Sequence, residues 1–213
     1  MLQKYETIDL STWERRELYE HFTKLRMPHY EVAAMIDVTP LVEYTRRQQI
    51  SFYLGMIYLA TQSVNHIKNF RYRIVEGKVV LYEQILPNFT HKKKDEDLFR
   101  YHTTNLTGSI DEFARTTAAA IDKQQTLFGG LEHTPNLVYY SCLPWLETTA
   151  ITNPGMENPD DAITRINWGK YTEREGRKML NVMVTANHRF IDGYHIALFI
   201  NDLQERINLL ADR

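Results

Sequence analysis

The sequence predicts an α/β protein built as a two-layer sandwich, with a mixed, largely antiparallel sheet and helices packed on one of its faces. Two observations lead to this fold class. Helical and strand-like segments alternate along the whole chain, and several strand-like segments are joined by short hairpin turns. A third observation excludes a doubly wound nucleotide-binding fold, because no glycine-rich loop opens a helix after the first strand.

Length and composition fit one globular domain spanning residues 1–213. The chain has 213 residues, of which 43% are hydrophobic and 24% charged, and it contains no repeat or linker-like tract. A net charge of −2 gives no electrostatic reason to expect nucleic acid or an anionic membrane as a partner. No apolar run approaches the roughly 18 residues of a membrane span, and the N-terminus lacks the apolar core of a signal peptide. We therefore expect a cytoplasmic protein.

The first half of the chain contains two predicted helices and a strand. The first helix is predicted over residues 11–25, where Ser11 and Glu14 have the spacing of a capping box. A strand is predicted over residues 30–39. Residues 51–67 form a helical segment that is apolar on most sides, which predicts a deeply packed helix.

Two hairpins are predicted from apolar runs that flank short glycine-containing turns. Residues 70–85 form the first hairpin, which turns at Glu76 and Gly77. Residues 162–186 form a longer hairpin that turns in the charged stretch around Gly176. These hairpins are the source of the antiparallel pairing in the predicted sheet.

The remaining predicted elements are two helices and one strand. The helix of residues 109–125 begins with Ser109 and Glu112, which again have capping-box spacing. Residues 136–145 are typical of a strand that ends at a proline, and a final helix is predicted over residues 196–210.

One polar motif stands where the last strand meets the last helix. The sequence there is "ANHRFIDGYH", in which His188 follows the strand and Asp192 precedes Gly193. His188 continues the apolar phase of that strand, formed by Leu180, Val182, Val184 and Ala186. Partial burial at a strand end favours the neutral imidazole that a general base needs. The spacing alone is equally consistent with a histidine satisfied by backbone groups and with an ordinary Asp-Gly turn.

Further motifs make the pattern specific. "NHRFIDGYHIALFINDLQE" resembles the H-H-x-x-x-D-G-x-H signature and following helix of the chloramphenicol acetyltransferase family. "SCLPW" resembles the family's S-x-x-P-W segment, and "WERRE" resembles the W-x-R-R-E of its first helix. "IDVT" and "INWGKY" also align, so the resemblance extends from about residue 5 to residue 210 at preserved spacing. It implies the CoA-dependent acyltransferase fold.

The resemblance implies catalytic roles for four residues. His188 falls on the family's general base, which removes the proton of an attacking hydroxyl. Ser141 falls on the residue that stabilises the oxyanion, although a serine bonded to backbone is the ordinary alternative. Asp192 pairs in the family with the arginine of the first helix. That arginine is Arg15 here, although the neighbouring Arg16 leaves its register uncertain by one residue.

Further residues are implied to bind substrates. Trp145 and Asn167 fall near the family's coenzyme A arm, and Asn167 replaces a threonine that orders a water molecule. Phe22, His29 and Phe99 fall on its acceptor pocket. Phe22 replaces a tyrosine and His29 replaces a cysteine, whereas Phe99 keeps an aromatic side chain. Asn153 stands near an expected apolar residue, and Asn187 replaces the first histidine of the family's pair.

The implied activity is O-acetyl transfer from acetyl-CoA to chloramphenicol in a ternary complex, with antibiotic resistance as its role and no metal. The resemblance also implies a homotrimer whose active sites lie between subunits. The altered pocket leaves another small alcohol open as acceptor, and a catalytically silent ligand-binding protein is a further alternative. The acyltransferase core of a 2-oxoacid dehydrogenase complex carries a similar H-x-x-x-D-G, but its usual lipoyl domain and linker have no counterpart in this sequence.

Other polar features favour ordinary structural interpretations. The single cysteine, Cys142, is a neighbour of Ser141 on a strand, so only one of the two can face a site. The charged stretch of residues 91–97 is typical of a solvated loop, although it could bind a coenzyme phosphate. Three further histidines lack the spacing of zinc ligands, namely His91, His102 and His133.

Overall fold

The structure is a computed structural model that describes residues 4–94, 96–131, 134–154 and 157–211. Within these residues the chain forms five α-helices, a 3-10 helix over Lys68–Arg71 and eleven strands. The helices are α1 (Arg16–Thr23), α2 (Thr39–Gln48), α3 (Phe52–His66), α4 (Ile110–Lys123) and α5 (Gly193–Asn208). The strands are β1 (Tyr5–Thr7), β2 (His29–Asp37), β3 (Tyr72–Val75), β4 (Lys78–Tyr82), β5 (Leu86–Lys92), β6 (Phe99–Thr103), β7 (Phe128–Gly130), β8 (Leu137–Cys142), β9 (Arg165–Trp168), β10 (Thr172–Arg174) and β11 (Arg177–Asn187).

The strands form one large mixed sheet and one small antiparallel sheet. In the large sheet the order runs β10-β11-β9-β8-β5-β6-β7, and β2 pairs with the other side of β11. The β5–β8, β8–β9 and β6–β7 pairs are parallel, and the other pairs are antiparallel. The small sheet has the order β1-β4-β3. The predicted class, a mixed and largely antiparallel sheet with helices on one face, is confirmed.

One face of the large sheet carries the hydrophobic core. Alternate residues of β11, namely Leu180, Val182, Val184 and Ala186, pack there with the buried helix α3. In β8, Val138 and Tyr140 join the same core, so Tyr139 and Ser141 point to the opposite face. One face of the sheet is therefore buried against the helices, and Ser141 lies on the other face.

Loop segments between β8 and β9 cross that second face. The side-chain amide of Asn181 donates to the carbonyl oxygens of Thr148 and Thr149 at 3.0 and 2.9 Å. Asn153 donates to the hydroxyl of Thr185 at 3.0 Å. These bonds fasten the connection to polar side chains of β11, which explains why that strand face carries amide and hydroxyl groups.

Both predicted hairpin turns and one capping box are present. Glu76 and Gly77 have φ angles of 50° and 74°, and Glu175 and Gly176 have φ angles of 50° and 76°, as type I′ turns require. The hydroxyl oxygen of Ser109 accepts from the backbone N–H of Glu112, and the backbone N–H of Ser109 donates to the carboxylate of Glu112.

The predicted capping box at Ser11 and Glu14 is wrong. Helix α1 begins at Arg16, and the amide and hydroxyl of Ser11 both donate to the carboxylate of Asp9, at 2.9 and 2.7 Å. The local carboxylate competes for the serine that the spacing assigned to a helix start. Arg15 occupies the capping position instead, and its side chain extends to the motif around His188.

Candidate active site

His188 is the first residue after β11, and its imidazole lies between two aromatic rings. The ring of Phe22 stacks on it at a centroid distance of 4.0 Å and an interplanar angle of 11°. The ring of Tyr30 stacks at 4.4 Å and 28°. The backbone N–H of His188 donates to the carbonyl oxygen of Pro28 at 2.8 Å, and its side chain remains 32% exposed. The imidazole is thus held in one plane while part of it faces solvent.

The carboxylate of Asp192 forms a salt bridge with Arg15. The guanidinium contacts both carboxylate oxygens, with Nη1 donating to Oδ2 at 2.7 Å and Nη2 donating to Oδ1. This bond to Arg15 holds the pKa of Asp192 below its usual value, in spite of the opposing effect of burial. Nδ1 of His188 lies 3.2 Å from Oδ1 of Asp192, but within the described residues it has no partner with hydrogen-bond geometry. Asp192 is therefore placed to bind Arg15 rather than to accept the imidazole proton.

Arg15 also fixes the backbone of the turn that carries His188. Its Nε donates to the carbonyl oxygen of Arg189 at 2.8 Å, and its Nη2 donates to that of His188 at 3.1 Å. The residue is only 8% exposed, so these bonds are shielded from solvent. Arg16 pairs with Glu20 on the exposed side of α1. The structure thus resolves the uncertain register in favour of Arg15.

His195, the last histidine of the motif, contacts the helix start. The backbone N–H of Asp192 donates to its Nδ1 at 2.9 Å, so the neutral ring carries its proton on Nε2. Burial is the largest effect on this ring and lowers the pKa of His195. The sequence pattern contained this histidine but gave it no role. Tyr30 was missed as well, although it lies opposite Ala186 in the β2–β11 pair, near His188.

Ser141 lies far from His188 within one chain. It pairs with Asn167 of β9, which in turn pairs with Met183 of β11. His188 is further along β11 than Met183, and Ser141 is two strands away. At about 3.4 Å per residue along a strand and about 4.8 Å between strands, the backbone positions of the two residues are about 20 Å apart. The structure therefore does not bring them together in a single subunit.

The other predicted site residues divide between the same two regions. Phe22 stacks on His188, and Nε2 of His29 lies 2.7 Å from the carbonyl oxygen of Asp161 at the same end of the sheet. At the other end, Trp145 follows β8 and is 68% exposed. Phe99, 50% exposed, lies at the start of β6 and packs edge-on against Tyr101.

Asn167 is buried beside Ser141. It is 1% exposed, and its Nδ2 has no hydrogen-bond partner among the described residues. A buried amide N–H without a partner reduces folding stability by about 1–3 kcal/mol. The Ser141 region therefore contains a hydrogen-bond donor that is unsatisfied among the described residues.

Exposed apolar side chains are concentrated at both ends. The Ser141 end, defined by Ser141, Asn167, Phe99 and Trp145, also exposes Leu98, Leu127, Phe128 and Leu146. The His188 end, defined by His188, Asp192, Arg15, Phe22 and His29, exposes Leu18, Leu25 and Met27 on and after α1, and Tyr194 and Leu198 on α5. Several exposed apolar side chains in one region are typical of a protein interface.

The remaining polar candidates have structural environments. Burial raises the pKa of the Cys142 thiol to about 12, and the residue packs against the core on the face opposite Ser141. His91 and His102 both contact the side-chain oxygen of Gln124, at 3.2 and 2.9 Å. His133 lies outside the described residues. Across the described ranges, no three His, Cys, Asp or Glu side chains are grouped to hold a metal ion.

The helices of the described residues are too short or too polar to span a bilayer.

Comparisons with known proteins agree with the fold and the motifs. A family model described as chloramphenicol acetyltransferase matches residues 3–204. Chloramphenicol acetyltransferase 3 of Escherichia coli is 28% identical over 208 residues, which cover 96% of this chain and 97% of the relative. The chloramphenicol acetyltransferase of Streptomyces acrimycini is 28% identical over 209 residues, which cover 96% and 94%.

Solved structures give the same result. A chloramphenicol acetyltransferase superposes with a TM-score of 0.87 at 26% identity, covering 96% of this chain and 100% of that one. A probable dihydrolipoamide acetyltransferase from Listeria monocytogenes superposes with a TM-score of 0.63 at 14% identity, covering 98% and 96%, and therefore shares the fold alone. The match over nearly the whole chain confirms the resemblance seen in the motifs. The protein belongs to the chloramphenicol acetyltransferase family.

Proposed function

We propose that this protein transfers the acetyl group of acetyl-CoA to a hydroxyl of chloramphenicol. The observation that carries the proposal is the imidazole of His188, stacked between Phe22 and Tyr30 at the end of β11. The names of the curated relatives support the choice of acceptor. In this proposal the enzyme acts in the cytoplasm and its biological role is resistance to the antibiotic.

His188 acts as the general base. Its Nδ1 is buried, which leaves Nε2 to receive the proton of the acceptor hydroxyl. As that proton moves, the hydroxyl oxygen forms a bond to the carbonyl carbon of the thioester. The resulting tetrahedral intermediate collapses, the carbon–sulfur bond breaks, and the imidazolium returns the proton to the departing thiolate. The acetyl group passes directly between substrates, without an acyl-enzyme intermediate.

Ser141 donates a hydrogen bond to the oxyanion of the tetrahedral intermediate. A fixed donor of this kind contributes about 10²–10³ in rate. Asp192 and Arg15 act on the backbone that carries His188, because the carboxylate binds the guanidinium and the guanidinium binds two carbonyl oxygens of the turn.

The active site is completed by a second copy of the chain in a homotrimer. Two observations support this part of the proposal. His188 and Ser141 are about 20 Å apart in one chain, by strand geometry. Both regions also expose apolar side chains that an interface would cover. A cyclic arrangement would set the His188 end of each subunit against the Ser141 end of its neighbour and leave no end unmatched.

The substrate-binding residues follow the same division. In the proposal Trp145, whose ring is exposed, and Asn167, which pairs with Ser141, bind the coenzyme A arm. Phe22, His29 and Phe99 line the acceptor pocket. Another small alcohol is the second candidate acceptor, because the phenyl ring of Phe22 offers no hydroxyl and Nε2 of His29 already contacts the carbonyl oxygen of Asp161.

A thiol-release assay tests the proposal. The purified protein is incubated with acetyl-CoA and chloramphenicol, then with a panel of other small alcohols, at several pH values. We expect turnover with chloramphenicol that declines as the solution becomes acidic, because a protonated imidazole is no base. If only other alcohols are acetylated, the proposed mechanism stands but chloramphenicol is not the acceptor. If chloramphenicol binds but no acceptor leads to release of the coenzyme A thiol, the result would favour a silent binding protein.

A further inference from the structure

The side chain of Asn187, the residue before His188, uses all of its hydrogen-bonding groups. It is 3% exposed. Its Nδ2 donates to the carbonyl oxygens of Pro159 and Asp161 at 2.9 and 3.0 Å. Its Oδ1 accepts from the backbone N–H of Arg189 at 3.1 Å. The side chain therefore joins the turn that carries the imidazole to the loop segment 159–161, which we call the crossing segment.

The bond from Arg189 to Oδ1 closes an Asx turn with His188 at its centre. The backbone of His188 is also held on both sides of its Cα. Its N–H donates to Pro28, and its carbonyl oxygen accepts from Arg15. The Asx turn connects these two anchors, so the direction in which the imidazole leaves the backbone depends on the carboxamide of Asn187.

The crossing segment is itself fixed by two further side chains. Nη1 of Arg189, a residue only 2% exposed, donates to the carboxylate of Asp160 at 2.6 Å. Nε2 of His29 lies 2.7 Å from the carbonyl oxygen of Asp161. Side chains from both sides of His188, together with one from β2, therefore contact three consecutive residues of the crossing segment. This arrangement gives Asn187 a rigid partner rather than a mobile loop.

We infer that Asn187 is a positioning residue for His188, acting through the Asx turn and the crossing segment. The inference rests on the proposed function and extends it to a residue where this chain departs from the family pattern. A neutral imidazole has one donor and one acceptor, so the histidine of that pattern could make only two of the three bonds. The geometry of this chain requires two donors and an acceptor from one short side chain, which a carboxamide supplies.

Asn187→Asp tests the inference against a matched control. The change keeps an acceptor for Arg189 but turns a second oxygen toward two carbonyl oxygens. Asn181→Asp makes the same change on the same face of β11, where Asn181 donates to Thr148 and Thr149. We expect Asn187→Asp to lower kcat by about tenfold or more with KM changed less than about threefold, since small misplacements of a reacting group reduce rate. Asn181→Asp should leave kcat within about twofold of wild type, since its amide lies away from the His188 turn.

A second measurement does not depend on turnover. Histidine labelled with ¹³C at Cε1 gives one resonance per ring, and the His188 resonance is identified by its loss in His188→Ala. We expect its chemical shift to change in Asn187→Asp and to stay as in wild type in Asn181→Asp. If the wild-type protein acetylates nothing, the proposed function fails, and the resonance still decides whether Asn187 positions His188.

The outcomes are separated by a third variant. Asn187→His keeps the acceptor and one donor, so we expect an intermediate kcat, and it carries the test if Asn187→Asp does not fold. An unchanged His188 resonance in both Asn187 variants would overturn the inference. So would an equal loss of kcat in Asn181→Asp, because that result would reflect general loosening of the loop.

Discussion

The two ends of the large sheet are built differently. At the His188 end, the imidazole is stacked between two rings, and buried Arg15 binds both the carboxylate of Asp192 and the backbone of the turn. At the Ser141 end, Trp145 and Phe99 are largely exposed, and a buried amide of Asn167 lacks a partner among the described residues. One chain thus fixes the imidazole of His188 by itself, whereas the region of Ser141, the proposed oxyanion donor, is left open. The proposed assembly, in which a second copy of the chain covers the Ser141 region, would account for this contrast.

The largest expected effect concerns His188, the proposed base. His188→Ala should lower kcat by about 10²–10⁴, because the acceptor hydroxyl then has no base to take its proton. The matched control is His66→Ala, since His66 is exposed and bonds to Asp202 on the helix side. Steady-state thiol release checks both variants. An unchanged rate in His188→Ala would remove the reason for regarding this end as catalytic.

Ser141→Ala should have the next largest effect. Loss of one oxyanion donor should lower kcat by about 10²–10³, which corresponds to about 3–4 kcal/mol of transition-state stabilisation. The KM for acetyl-CoA should change little, because the bond forms with the intermediate rather than with the bound thioester. Initial rates over a range of acetyl-CoA concentrations test this. If Ser141→Ala has a normal kcat and a raised KM for acetyl-CoA, the Ser141 end binds substrate but does not stabilise the intermediate.

Asp192→Asn should destabilise the His188 end of the protein. Its removal leaves the buried guanidinium of Arg15 without a counter-charge, which should lower the free energy of unfolding by about 2–3 kcal/mol at pH 7, less than for a fully buried pair. The pKa of Asp192 is lowered in the folded protein, so this stabilisation is present above the unfolded pKa and is lost as pH falls through the folded pKa.

Urea unfolding of wild type and Asp192→Asn across pH measures that difference. The gap between the two proteins should be largest near neutral pH and should narrow as the solution is acidified below the ordinary carboxyl pKa of about 4. A gap that stays constant across the acidic range would mean that the Arg15–Asp192 pair does not contribute in this way.

The smallest expected effect lies away from both ends. Ser109→Ala removes the capping box of α4 and should lower the free energy of unfolding by about 1 kcal/mol, with kcat unchanged. Thermal unfolding and the thiol-release assay together check this. The variant also serves as a reference for a loss of unfolding free energy that leaves both ends of the sheet intact.

Local patterns predicted much of this fold. The turns at Glu76–Gly77 and Glu175–Gly176 and the Ser109 capping box depend on residues within a few positions of each other, and each is present. The Ser11 capping box failed because a nearby carboxylate, that of Asp9, took the serine hydroxyl. Helix α2 and strands β5 to β7 were not predicted, since their own sequence patterns are weak. The β5–β8 and β6–β7 pairs also join residues that lie far apart in the sequence.

The site was predictable in its residues but not in its geometry. The family resemblance identified Arg15 and Asp192 as a pair, and a contact across 177 positions joins them. Nothing local indicates that Tyr30 stacks on the imidazole or that Asn187 binds residues 159–161, because both contacts depend on how a strand and a loop meet at the sheet edge. Sequence also does not reveal that Ser141 and His188 lie at separate ends of the sheet, which follows only from strand order and register.

A mixed assembly of two inactive chains tests most directly whether the two ends meet between subunits. His188→Ala and Ser141→Ala chains, distinctly tagged, are co-expressed and the assemblies that carry both tags are purified. If each site combines His188 of one copy with Ser141 of the next, every cyclic trimer that carries both tags has one of its three sites wild type in both residues. We therefore predict that the purified mixed assemblies have activity far above that of either parent protein and about a third of wild type. Activity that stays at the level of the parents would contradict the account.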